Sequence, residues 1–144
     1  MPFTQEALDQ FISTYERNTS SDDPSQAAAQ FAENFLAAGP QGPVIVPAAV
    51  FAQKLPARKQ LFDEAGLKSA RLASRRDLRL GERYVLVDTR WRMNFAPERN
   101  PGISLDVGSS FLVDMGGSEP RILVYVAHQD VFQMMKDRKL LPPG

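Results

Sequence analysis

His128 is the chain's only histidine, and so the one side chain able to exchange a proton near neutral pH without a shifted pKa. It ends a strand-like run, Val124-Tyr125-Val126-Ala127-His128, and is followed by Gln129 and Asp130. Three hydroxyls in three other strand-like runs, Ser74, Thr89 and Ser109, fall in step with it once the strands are paired. Gly81-Glu82 fits a two-residue type II′ hairpin, because glycine tolerates the positive φ of its first position. Leu80 then faces Arg83, and Leu78 with Val85, Arg76 with Val87, Ser74 with Thr89, Leu72 with Trp91 and Ala70 with Met93 follow on one inner side. On the outer side Arg75 meets Asp88, and Arg71 meets Arg92, a repulsion relieved if Arg92 also pairs with Asp106. That pairing sets Thr89 opposite Ser109, and placing Ile122, Val124 and Val126 inside sets His128 opposite Ser109.

The expectation is a polar row, Ser74, Thr89, Ser109 and His128, across an otherwise apolar inner face. Such a row would orient the polar end of a small, mostly apolar molecule, with Trp91, Phe111 and helix side chains lining the remainder. The alternative is structural: the hydroxyls bond to one another or to water. Arg76 on the same face must be paired or reach water, so it either clamps a ligand carboxylate or is turned outward by a β-bulge. His128 acting as a base on Ser109 would make two members of a nucleophilic triad, with no third member and no oxyanion hole in view. As a hydrogen-bonding group on a pocket rim it needs neither, and Asp130 is then free to cap a terminal helix.

These residues need a sheet to hold them and helices to cover it. Four long strands are predicted at about 68–80, 83–96, 104–115 and 121–128, with longer turns at 97–102 and 116–120. The helical sequence lies in front. Thr4 caps a first helix whose stripe is Ala7, Leu8, Phe11, Ile12 and Tyr15. Asp23-Pro24-Ser25-Gln26 supplies a cap, a proline at the first helical position and a capping-box partner. The stripe Ala27, Ala28, Phe31, Phe35 and Leu36 extends that second helix to a stop at Gly39. Val44-Ile45-Val46 is a small strand, a third helix from Ala48 is interrupted at Pro56 and ends at Gly66, and a short amphipathic helix after Asp130 ends at Pro142-Pro143. Helices followed by long strands predict an α+β fold in which one curved antiparallel sheet wraps around the helices, leaving a pocket inside.

Composition narrows the function. The 144 residues fit one domain, 1–144, with 43% hydrophobic and 24% charged residues and no apolar run of the roughly 20 residues a membrane span needs. The amino terminus lacks a basic start and an apolar stretch, so the expected location is cytoplasmic. Zero cysteines exclude disulfides, thiolate zinc sites and cysteine nucleophiles. With one histidine and scattered acids no metal site is expected, and no phosphate-cradling glycine loop gives a nucleotide cofactor a seat. Lys68 to Arg99 carries nine bases against four acids, but its arginines are spread over alternating strand positions without clustered aromatics, which describes a solvated sheet face and not a nucleic-acid surface.

Helix, capped second helix, short strand, broken third helix and long antiparallel strands together resemble the cone-shaped nuclear transport factor 2-like superfamily, which includes SnoaL-like polyketide cyclases and ketosteroid isomerase. The resemblance is carried by Phe11-Ile12-Ser13-Thr14-Tyr15, by Asp23-Pro24, by Tyr84-Val85-Leu86-Val87 leading to Trp91, and by Val124 through Asp130. It implies a deep pocket between helices and concave sheet, frequent homodimers, and roles from isomerases, cyclases and hydrolases to noncatalytic binding modules. Tyr15 matches the tyrosine that donates to the substrate oxyanion in the isomerase; the other reading is a core aromatic with a satisfied hydroxyl. The isomerase's carboxylate base has no counterpart in Val44-Ile45-Val46-Pro47, and Ser109 stands where its cavity acid is expected. The expectation is therefore a homodimeric domain binding a small molecule through Tyr15, Ser74, Arg76, Thr89, Trp91, Ser109, Phe111 and His128, with no cofactor. The alternatives are an isomerase, cyclase or hydrolase using Tyr15 and His128 on a cyclic substrate, and an interaction module using the outer sheet face.

Overall fold

The computed structural model describes residues 4–19, 24–96 and 102–141. The Thr4 hydroxyl accepts the Ala7 N–H at 3.1 Å and starts α1 (Gln5–Asn18), which buries Leu8, Phe11 and Ile12 as one stripe. The second helix, α2, covers only Pro24–Ala28; its expected cap, Asp23, lies outside the described residues. Phe31 to Gly39, expected to be helical, form strand β1 (Phe31–Gly39). Phe31 and Phe35 are four apart, a spacing that puts residues on one side of a helix and equally of a strand. Pairing on both flanks decides for the strand: β1 is antiparallel to β2 (Gly42–Pro47) and parallel to β6 (Arg121–Ala127). Next, α3 (Ala48–Glu64) runs unbroken through Pro56, an exposed position where water can serve the carbonyl that proline leaves without a donor. Gly66 follows at φ 85°, the left-handed stop expected of it.

The remaining strands are β3 (Leu67–Leu80), β4 (Tyr84–Phe95) and β5 (Ile103–Asp114), and α4 (Val131–Asp137) closes the fold. Asp130 caps α4 as expected, its carboxylate accepting the Gln133 N–H at 3.1 Å. Pro142, Pro143 and the turn residues 97–101 lie outside the described residues. The six strands make one curved sheet in the order β2-β1-β6-β5-β4-β3, antiparallel except at the β1–β6 joint. The architecture is α+β, with helices on the concave side.

Two one-residue irregularities correct the expected registers. The β3–β4 turn contains three residues, Gly81-Glu82-Arg83, so Leu80 faces Tyr84 and Ser74 faces Arg90. A β-bulge at Ala73 then restores the expected pairs Leu72 with Trp91 and Ala70 with Met93. Between turn and bulge each β3 residue is displaced by one, which turns Ser74 and Arg76 to the exposed outer side and Arg75 to the inner side. There Arg75 binds Asp77 at 2.8 Å and reaches Asp9 of α1. The β4–β5 register is as expected, with Thr89 opposite Ser109 and Arg92 paired to Asp106 at 2.9 Å. In β6 a second shift, at Leu123, keeps Ile122 inside but turns Val124 and Val126 out and Tyr125 in.

The α1 stripe meets Val85, Val87, Phe111, Val113 and Ile122 in one core, while Met93, Phe95, Leu105 and Met135 anchor a second under α4. Each such side chain contributes about 1.5–3 kcal/mol by leaving water. Among the described residues no helix is long and apolar enough to cross a membrane.

Candidate functional site

Between the helices and the concave sheet lies a cavity of about 1070 Å³, at the upper end of the range common for small-molecule sites. Of the expected site residues, Tyr15, Trp91 and Ser109 line it. Thr89 lies fully buried directly behind. The indole N–H of Trp91 donates to Thr89 Oγ1 at 2.7 Å, and the Thr89 hydroxyl donates to the Ser109 carbonyl at 2.7 Å. Thr89 has thereby spent its hydrogen, so the contact with Ser109 Oγ at 2.9 Å is made by the Ser109 hydroxyl donating. Ser109 is left with free lone pairs beside the cavity, an acceptor for a donor group.

Tyr15 comes from the cavity end of α1. Its ring packs against Phe111 at 4.8 Å and Trp91 at 5.8 Å between centroids, and Phe111 itself is fully buried beneath it. Part of the Tyr15 surface faces the cavity, yet burial pushes its phenol pKa well above 10.0, with Tyr125 adding to the rise and Arg58 opposing it. Among the described residues nothing hydrogen-bonds the Tyr15 hydroxyl. Tyr125, stacked on Phe111 at 5.5 Å, brings a second phenol to the same wall. The sequence pattern hid Tyr125, because an unbroken alternation through Ile122, Val124 and Val126 points it outward.

Ser74, Arg76 and His128 do not join this group. Ser74 and Arg76 are carried outward by the register displacement in β3. His128 lies opposite Gly108, donating its backbone N–H to the Gly108 carbonyl at 3.0 Å, because the shift at Leu123 gives Ala127 the place opposite Ser109. On the outer face its Nε2 meets Ser110 Oγ at 2.8 Å and its Nδ1 meets Arg90 Nη1 at 3.1 Å. Ser110 donates to Asp88 at 3.0 Å, so it accepts from Nε2–H, while Arg90 donates to Nδ1. This is the wrong polarity for a nucleophilic triad: the serine proton points to the carboxylate and the imidazole has no lone pair turned to it. Burial raises the Asp88 pKa, but Ser110 and Arg90 outweigh it and hold the carboxyl below its ordinary range.

The far side of the cavity comes from α3 and α4, helix side chains as expected, though the sequence signals singled out none of these residues for it. Phe51 packs on Phe31 and Phe35 at 4.9 and 5.4 Å, and Phe62 stacks on Phe132 at 5.3 Å. Among the described residues no three histidine, aspartate or glutamate side chains converge to hold a metal ion. The arrangement offers an aromatic box with an acceptor at Ser109 and donors at the phenols.

No family model matches the chain, and no curated protein does. Solved structures share its fold. A protein from Novosphingobium aromaticivorans, described as NTF2-like with a cystatin-like fold, superposes at a TM-score of 0.71 with 12% identity, covering 96% of this chain and 89% of that one. The beta subunit of benzoate 1,2-dioxygenase from Burkholderia mallei does so at 0.68 with 12% identity, over 93% and 95% of the two chains. A scytalone dehydratase-like protein from N. aromaticivorans follows at 0.67 and 12%, over 85% and 80%. The fold is therefore nuclear transport factor 2-like, and at such identities the likeness carries the fold alone.

Proposed function

We propose that this domain binds a small, largely apolar, ring-containing molecule in the cavity between its helices and concave sheet. The observation that carries this reading is the Tyr15 hydroxyl, which opens onto an aromatic cavity and has no protein partner among the described residues, where every fully buried polar side-chain atom is satisfied. A donor turned to a cavity and left to water is available to a ligand acceptor. Thr89, Ser109 and Trp91 support the reading as a rigid wall whose one open valence is the Ser109 acceptor. A cytoplasmic location is part of the same proposal.

The test is calorimetric titration with neutral bicyclic aromatics, comparing the native protein with Ala127→Phe, which fills the cavity from its small-residue wall. Binding that the substitution removes while the fold is retained supports the reading. Equal behaviour of both proteins sinks it.

A second reading, a SnoaL-like enzyme, is favoured by the same hydroxyl, which would donate to a developing oxyanion. It has no proton acceptor from His128, which stands on the opposite face. A homodimer is supported by the outer sheet surface. Leu78, Leu86, Leu112, Val124, Leu36 and Ile45 are successive cross-strand neighbours through all six strands, an aliphatic row on a face that a second copy would cover.

A further inference from the structure

The mouth of the cavity carries a cation with no carboxylate partner among the described residues. Arg58 projects from α3, its guanidinium carbon 5.1 Å from the centroid of Phe62 and 4.9 Å from that of Phe132. Those two rings are themselves stacked, so the guanidinium is held in place by a pair of rings that joins α3 to α4. Among the described residues no acid pairs with Arg58. The carboxylates that share the mouth are engaged elsewhere: Asp63 with Lys59 at 2.9 Å, and Asp130 with the α4 amino end and with Gln41 at 3.1 Å. Arg58 also lies close enough to Tyr15 for its charge to act on the phenol. A guanidinium that is positioned, unpaired and at the opening of an aromatic cavity matches a planar anion, which it can bind through two parallel N–H donors.

Resting on the ligand-binding reading above, we infer that the ligand is an anion: a ring compound bearing a carboxylate, with the carboxylate clamped by Arg58 at the mouth and the ring seated between Tyr15, Trp91, Phe51 and Tyr125. The lining divides chemically: the phenols and Ser109 offer donors and an acceptor to a polar ring substituent, and Arg58 offers full positive charge. A neutral isostere of the same shape would fill the box and leave the guanidinium unused.

The experiment titrates the protein calorimetrically with 2-naphthoate and with 2-naphthamide, for the native chain, Arg58→Met and Arg58→Lys. The carboxylate is expected to bind the native protein at least about tenfold more tightly than the amide. That preference should shrink between about 0.02 M and about 0.5 M salt. Arg58→Met should abolish it while leaving amide affinity within about twofold, and Arg58→Lys should retain part of it, since a point charge lacks the fork. Equal binding of both probes to the native protein overturns the anion inference and leaves the cavity reading standing. A preference that survives Arg58→Met, as it would if Lys68 on the cavity lining held the carboxylate, overturns the assignment to Arg58. Binding of neither probe overturns both.

Discussion

Trp91 and Thr89 project from the same side of β4 two residues apart, and the indole N–H of the first donates to the hydroxyl of the second at 2.7 Å. The bond makes a wall of the cavity self-sufficient: the chain's only tryptophan offers its ring to the interior and keeps its polar atom for the protein. Removing the hydroxyl therefore strands two donors, the Trp91 N–H and the Ser109 hydroxyl. Thr89→Val, which preserves shape, should lower unfolding free energy by about 1–3 kcal/mol, read by urea denaturation. Ser109→Ala should cost less, because Thr89 keeps its donor bond to the Ser109 carbonyl.

Tyr15→Phe should leave stability at neutral pH nearly unchanged, since its hydroxyl bonds to nothing among the described residues. The difference appears in alkali. The folded-state pKa is raised by burial above 10.0, so above about pH 10 the unfolded chain releases this proton while the folded one retains it. Stability then falls as pH rises, by about 1.4 kcal/mol per pH unit until the folded group ionises. Denaturation at matched pH values from neutral to alkaline should show the variant escaping that part of the loss. Parallel curves for the two proteins would contradict the burial of this phenol.

Gly108 has no room for a side chain: a Cβ there would stand 2.4 Å from His128 Nδ1 and 2.7 Å from Arg90 Nη1. Gly108→Ala should push both groups away and dismantle the Asp88, Arg90, Ser110 and His128 cluster. Because these are side-chain ends at a wet surface, the cost should be about 1 kcal/mol, with the fold kept and the cavity intact. Proton chemical shifts of the single imidazole should move.

Leu112 sits at the centre of the aliphatic outer row, between Leu86 and Val124. Leu112→Asp should convert a dimer to a monomer in sedimentation equilibrium and leave the circular dichroism spectrum unaltered. A native protein that sediments as a monomer at high concentration would remove the homodimer reading.

The polar row expected from alternation survives where the strands are unbroken. Thr89, Trp91, Ser109 and Phe111 lie inside because β4 and β5 pair without interruption. Ser74, Arg76 and His128 do not, because Ala73 and Leu123 each add a residue to one strand, and residue types carry no mark of such an insertion: each reverses every side chain beyond it. Arg76 went outward by the bulge that its charge had already made one of two readings. β1 was read as helix because the spacing of Phe31 and Phe35 satisfies both periods, and its partners are set by pairing with β6, about ninety residues away. The aromatic far wall and Arg58 were invisible for a similar reason. They converge only after α3 and α4 are laid over the sheet.

The extra residue at Ala73 has a reach beyond its own strand. On the helix-proximal side it lets Leu72 and Ala70 face the interior, and past it the phase flips, so that Arg75 grips α1 and Leu78 is released to begin the exterior aliphatic file. Were Ala73 paired instead of bulged, with the hairpin closed by two residues in place of three, the two duties would exchange: Leu78 would swing beneath α1, a charge would interrupt the file, and Arg76 would inherit the grip of its neighbour. The lodging of a single residue thus governs which of two adjacent arginines ties helix to sheet, and whether the molecule has a greasy back at all.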